Sequence, residues 1–301
     1  SDVYKRQTQG IGGQIEKLGN VATMRSRGIE LSLSTKNIQT QDFSWTTDII
    51  YSHMKNEVTK FETSTRAFDL VSGIGFSREG YPVNSIFSYD FRGLNEEGIP
   101  TFINEDGELT TTNINFQEQE RFDHLVYSGP SEPTDVGSFG NIFRYKGLRL
   151  NIFITYSFGN VVRLDPVFSD SYTDLDAMPR EFKNRWMVPG DERFTDVPTI
   201  ISTRQKKNDN SLSYAYNAYN YSTARIAKGD FIRMKEISLT YDFPKRWIQK
   251  LKMSSLSLKF QATNLFLIYA DKKLNGQDPE FFNTGGVAVP VPKQFTLCLL
   301  Y

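Results

Sequence analysis

The residues able to do chemistry are few and scattered. The two histidines, His53 and His124, sit in no ligand motif, and a single cysteine, Cys298, excludes an internal disulfide and a Cys/His zinc site. The most acidic turn, Asn104 to Glu108 (NEDGE), lacks the ligand spacing of a calcium loop and reads as a solvated turn. Gly10, Gly12 and Gly13 are not followed by the Lys-Ser/Thr of a phosphate loop, and no Gly-x-Ser-x-Gly elbow occurs. No catalytic residue, metal ligand or cofactor is assigned, and the chain does not read as an enzyme. What remains is recognition chemistry. Tyr214, Tyr216, Tyr219 and Tyr221 with Asn217 and Asn220 (YAYNAYNYS) offer ring faces and amides suited to glycan rings and hydroxyls. The same run also reads as a structural lead-in to the strand that opens at Gly229, which is the favoured reading because aromatics pack more often than they bind. Tyr214, Tyr216, Tyr219 and Trp186 stand as the candidate substrate contacts.

The elements that must position these residues show period-two alternation. Leu148, Leu150, Ile152, Ile154, Tyr156 and Phe158 interleave with Arg149, Asn151, Phe153, Thr155 and Ser157, so a strand here has one apolar and one mainly polar face. The pattern recurs at Ile29–Leu33, Phe43–Ile49, Ile237–Phe243, Leu256–Phe260 and Phe295–Tyr301. Cys298 falls on the polar parity of the last of these, a structural position. Composition agrees: aromatics are 14% of the 301 residues while all hydrophobics are only 39%. Apolar residues are thus spent on alternate positions, and no apolar run approaches the ~18 residues of a membrane-spanning helix. Basic and acidic residues balance at 35 each, so the charge excess of a phosphate-neutralising nucleic-acid binder is missing.

Connections come in two sizes. Those around Asn37–Asp42, Lys146-Gly147 and Pro244–Met253 are short, whereas Asn56–Ser138, Gly159–Lys228 and Leu267–Lys293 are long, and the two sizes alternate. Up-and-down strands then carry every short turn at one end and every long loop at the other, as outer-membrane barrels do. Within the first long loop, Ile86–Leu94 reads as a strand and Gly98–Glu108 as a hairpin with Asp106-Gly107 at its tip. Aromatics near strand ends (Tyr51, Phe158, Tyr241, Phe243, Phe266, Tyr301) read as interfacial girdles.

Gly229 to Pro244 (GDFIRMKEISLTYDFP) resembles the penultimate-hairpin signature of the SusC/RagA family, TonB-linked outer-membrane transporters of Bacteroidetes. Other segments agree in order: Met24–Glu30 (MRSRGIE), Asp42–Trp45, Asn141–Leu150 (NIFRYKGLRL), Asn184–Asp191 (NRWMVPGD), Ala262–Phe266 (ATNLF), Asp278-Pro279-Glu280 and Pro292–Tyr301. The chain departs from the family pattern at Ser26, where Asn is usual, and at Tyr301, where Phe is commoner.

The expected fold is all-β, the C-terminal portion of an antiparallel transmembrane β-barrel with long extracellular loops, about seven strands of a roughly 22-stranded whole. Residues 1–9 (opening SDVYKRQ) read as a non-native or truncated start and 10–301 as the barrel portion, with plug and N-terminal domains expected upstream. The resemblance implies TonB-dependent import of oligosaccharides or peptides across the outer membrane. It further implies a SusD-like surface lipoprotein as partner, TonB acting through the upstream regions, contact with outer-membrane lipid, and no nucleic acid. A siderophore or vitamin receptor, and a soluble surface-attached β-rich glycan-binding module, are the alternatives.

Overall fold

The computed structural model describes residues 4–7, 16–19, 22–73, 77–167, 179–249, 253–282 and 292–301. Among these, seven strands form one sheet: β1 (Ala22–Gln39), β2 (Phe43–Phe61), β3 (Asp135–Tyr145), β4 (Leu148–Phe158), β5 (Phe231–Asp242), β6 (Ser257–Ala270) and β7 (Gln294–Leu300). Each strand lies beside its neighbours in sequence, with antiparallel registers from β2 through β7, so the sheet is an up-and-down meander. The Lys146-Gly147 turn joins β3 to β4, both residues at positive φ (43° and 87°), the geometry of a two-residue hairpin whose twist matches its strands. The β5–β6 connection holds a single helical turn, Lys245–Ile248, started by Pro244 and carrying Trp247 half in solvent. The long connections all leave from the other ends of the strands.

Register arranges the side chains in rows. One row crosses from β2 to β7 as Trp45, Phe143, Leu150, Leu239, Phe260 and Leu297. The row one residue away, on the opposite face, is Ser44, Arg144, Arg149, Thr240, Lys259 and Cys298. Burial is inverted relative to a sheet in water: Ser238 is 6% exposed, while its neighbour Leu239 is 41% exposed and Leu297 70%. A polypeptide in water hides Leu and shows Ser. The sheet therefore presents its apolar face to a surrounding that is not water.

In the middle of the apolar face two polar residues, Thr47 and Asn141, are paired. The Asn141 carboxamide oxygen accepts from Trp45 Nε1 and from Thr47 Oγ1, each at 2.8 Å, and Thr47 Oγ1 accepts from Asn37 Nδ2 at 2.6 Å. The Trp45 ring stacks on Phe143 with centroids 5.7 Å apart. Polar groups are tolerable against lipid only when satisfied internally, which this chain of bonds achieves.

A bulge corrects the alternation in β5. The β4–β5 register slips between Phe153 and Ile154, which skips Lys235. Ile232 and Met234 thereby join the face of Ile237, and Arg233 moves to the polar face. There the nearly buried guanidinium pairs with Asp278, and its Nε lies 3.0 Å from Glu280 Oε2. Asp278 also accepts from the Glu280 backbone N–H at 3.1 Å, which starts the 3₁₀ turn Pro279–Phe281. This ion pair fastens the β6–β7 connection to the wall.

A second compact unit takes in the described residues up to 26, 56–132 and 161–227, including the ends of β1 and β2, and its core is rich in aromatics. Strand Ser85–Tyr89 pairs with Leu125–Pro130, and Phe91–Leu94, Pro100–Ile103 and Leu109–Thr110 make a small three-stranded sheet. The expected single strand over Ile86–Leu94 is thus two, broken at Asp90. The expected hairpin is present, with the Asn104 side chain accepting from the Asp106 and Glu108 amides to shape its tip.

The two faces of β4 give a direct prediction. Ile152→Arg should cost about 2–4 kcal/mol near a bilayer midplane, whereas Asn151→Arg should be tolerated, since Glu236 remains beside it. Unfolding in lipid vesicles measures both; equal cost at the two sites would refute the facing.

Candidate functional site

The tyrosine run, ahead of the strand that opens past Gly229, forms helix α1, Leu212–Asn220. Its apolar residues Leu212, Ala215, Tyr216 and Tyr219 fall at helical spacing and make its buried face. Tyr216 is 2% exposed and donates its hydroxyl to the Thr199 carbonyl at 2.8 Å. Tyr219 is 1% exposed, edge-on to Phe91 with centroids 5.5 Å apart and with the Arg225 guanidinium over its ring. Burial drives the Tyr219 hydroxyl strongly upward in pKa, so it stays neutral. Asn220 is buried and accepts from the Val167 amide at 3.1 Å. Tyr214 points the other way, half exposed, near Phe116. Of the run, Tyr214 and Asn217 alone offer substantial surface.

Trp186 lies in the loop that follows the 3₁₀ turn Arg180–Asn184. Its indole N–H donates to Glu192 Oε2 at 3.0 Å, and its backbone N–H to the Val197 carbonyl at 2.9 Å. The ring rests on Gly98, where a Cβ would meet it at 2.5 Å, so only glycine fits beneath it. The indole thus holds the 186–197 loop against the 95–99 turn. Beside it, Met187 and Val188 are more than half exposed and Phe194 is 89% exposed, an apolar tip on a polar loop.

Sequence reasoning missed two arginines. Arg225 is 2% exposed, pairs with Glu181 and donates to the Asp165 carbonyl at 2.6 Å. Arg163 donates to the Phe87 carbonyl at 2.7 Å, Ser88 Oγ at 3.2 Å and the Ser222 carbonyl at 3.4 Å, with the Tyr221 ring 5.5 Å from its guanidinium. Burial pulls its pKa down to about 10, with no carboxylate partner among the described residues. Both stitch loop carbonyls together, and isolated arginines in polar sequence gave no signal of it. Of the histidines, His53 lies beside Asp135 (Nδ1–Oδ1 2.9 Å) on the wall. His124 is 7% exposed, stacked on Tyr89, and neither ring nitrogen has a hydrogen-bond partner among the described residues. The glycines at 10, 12 and 13 lie outside the described residues.

No family model matches the chain. It is 26% identical over 286 residues to TonB-dependent receptor P3 of Formosa agariphila, an alignment spanning 90% of this chain and 26% of that protein. It is 23% identical over 295 residues to TonB-dependent receptor SusC of Bacteroides thetaiotaomicron, spanning 93% of this chain and 26% of that one. The fold superposes on a chain of the RagAB peptide importer in its open-open state with a TM-score of 0.72 and 21% identity, covering 98% of this chain and 30% of that one. The chain is SusC/RagA-like. It spans little more than a quarter of the length of the curated relatives it matches.

Within that second unit His124 sets a pH dependence. Burial, the largest influence, lowers its pKa from 6.5, against the raising effect of Glu105 and Glu118; the Arg121 charge lowers it and the Arg121 backbone raises it. The folded unit therefore takes up a proton less readily than the unfolded chain, and stability present above 6.5 is lost as pH falls below it. Limited proteolysis within 62–132 should be faster at pH 5 than at pH 7.5, and His124→Phe, which keeps the stack on Tyr89, should flatten the difference. Unchanged pH dependence in the variant would remove His124 from this role.

Proposed function

We propose that the chain supplies the C-terminal wall of a TonB-dependent outer-membrane barrel that imports oligosaccharides or peptides, and performs no covalent chemistry. The carrying observation is the inverted burial along registered rows, Leu239 exposed beside buried Ser238. Closed with further strands into a barrel of roughly 22, such a sheet puts its apolar face to lipid and its polar face to a lumen. Among the described residues the backbone edges at β1 and β7 are open, and an unpaired edge is costly in lipid, which calls for that closure. The likeness to a peptide importer supports the peptide class, and the oligosaccharide class rests on the resemblance of the sequence motifs.

On this reading the unit made of the long connections is extracellular, and the exposed tip Met187, Val188 and Phe194 is where a SusD-like surface lipoprotein seats. Tyr214 and Trp186 remain surface candidates for substrate, and Tyr216 and Tyr219 act by holding the helix that carries Tyr214. The outer membrane has no nucleotide supply, so transport is driven remotely through TonB.

Cells carrying the intact receptor should lose uptake of its oligosaccharide or peptide when TonB is deleted or the proton gradient is collapsed. Phe194→Ser with Met187→Ser should lower co-purification of the lipoprotein several-fold while leaving receptor abundance unchanged. Uptake that persists without TonB would overturn the proposal.

A further inference from the structure

The apolar face ends differently at its two margins. At the short-turn margin the row is Phe43, Tyr145, Leu148 and Tyr241, without a charge. The nearby turn cation, Lys146, lies 3.8 Å from Asp42 Oδ2 and over the Tyr145 ring. At the other margin Tyr51 and Tyr156 stand on either side of Gly137, and the next row is His53, Asp135 and Phe158. Tyr156 lies across Gly137, where a Cβ would meet its hydroxyl at 2.4 Å, and donates to the Ile50 carbonyl at 3.3 Å. Asp135 is fully engaged: it accepts from the Tyr51 hydroxyl at 2.7 Å and Thr134 Oγ1 at 2.6 Å, with His53 Nδ1 at 2.9 Å. One row further on is a pair of cations. Gly28 abuts the backbone of His53 and Met54, a Cβ there lying 2.8 Å from the His53 carbonyl oxygen, which sets Arg27 across from Lys55. The two share the parity of Ile29 and Tyr51, both are exposed, and neither makes an ion pair among the described residues. Glu57, the next residue of β2 on this face, stands across from Arg25 in the same ladder, so that row is balanced and the Arg27–Lys55 row is not.

Height along the wall says what this pair meets. A strand tilted by about 40° climbs about 2.5 Å per residue, so an apolar band about 25 Å tall takes about ten residues. Counted from Phe43, the band closes near His53, and Arg27 and Lys55 stand about 5 Å beyond it, at headgroup depth. Side chains directly opposite in antiparallel strands are about 5 Å apart at Cβ, and like charges there destabilise the sheet unless an anion lies between them. We propose that Arg27 and Lys55 hold the phosphate monoester of a lipid in the outer leaflet, its acyl chains running down the apolar face over the rings of Tyr51 and Tyr156. A phosphate monoester carries about 1.5 to 2 negative charges near neutral pH and answers both cations, where a diester answers one. Arg27 offers paired N–H groups to its oxygens and Lys55 a point charge. A headgroup tethered by chains also gains the apolar burial along this face that free phosphate lacks. The site rests on the barrel reading in taking this face to lipid and its long-connection margin as the outer one.

The test is native mass spectrometry of the intact receptor, purified in detergent and incubated with phosphatidic acid, phosphatidylglycerol or phosphatidylcholine of the same acyl chains, or with inorganic phosphate alone. Phosphatidic acid, the monoester, should be retained at least five-fold more than either other lipid, and inorganic phosphate should leave no adduct. Arg27→Gln with Lys55→Gln should lower that retention at least five-fold, Arg27→Lys should keep most of it, and Lys146→Gln at the opposite margin should leave it unchanged. Should the double variant not assemble, Lys55→Gln alone, expected to lose at least two-fold, carries the test. Receptor that migrates as a folded, heat-modifiable barrel, but retains the three lipids equally, binds free phosphate as well, or is insensitive to the Gln substitutions, overturns the lipid site and leaves the barrel reading standing. Receptor that shows no heat-modifiable barrel overturns the reading on which the site rests.

Discussion

Backbone N–H and C=O groups that leave water must find partners, and across this wall each strand finds them in its sequence neighbours. That single demand fixes the rest. Once the ladder from β2 to β7 is in register, side chains fall into rows, and alternation in sequence becomes segregation in space: Trp45, Phe143, Leu150, Leu239, Phe260 and Leu297 on one face, Arg144, Arg149, Thr240 and Lys259 on the other. The hydrophobic effect does not drive the apolar row together within the chain, since its members stay open. It selects the solvent that the row must face.

The same demand explains where the polar residues are. Thr47 and Asn141 in the middle of the apolar face bond to each other, to Trp45 and to Asn37. Arg233 reaches Asp278 and Glu280 because the bulge at Lys235 turns it to the polar face. Without the bulge a guanidinium would stand among Leu239 and Ile237. In the second unit, where water is available, burial follows the ordinary rule: Phe87, Tyr89, Phe102 and Tyr219 pack inside and Arg163 and Arg225 tie the loop carbonyls.

The wall was legible because period two over many strands is a strong signal, and because short and long connections alternate. The bulge was not: simple alternation back from Leu239 sets Arg233 on the apolar face, and only the register reveals the shift. The helix Leu212–Asn220 was hidden by its tyrosines, which favour strands intrinsically but here follow helical spacing onto a core. Trp186 and the tyrosines were found as a group by residue type, yet type does not say which ring is buried. Tyr216 and Tyr214 are two residues apart, which on a helix sends one inward and the other out. The cation pair Arg27 and Lys55 was invisible for the same reason as the bulge, since the two meet through register alone.

The most direct measurement is the environment of each residue along β4 in the intact receptor reconstituted in lipid. Nitroxide labels placed singly at Arg149 through Thr155 report collision with oxygen, which concentrates in bilayers, and with a water-soluble nickel chelate. Labels at Leu150, Ile152 and Ile154 should meet oxygen and be shielded from the chelate, and labels at Arg149, Asn151 and Thr155 should show the reverse, with a period of two. Chelate access at Leu150, Ile152 and Ile154, or no alternation at all, would contradict a membrane-facing wall.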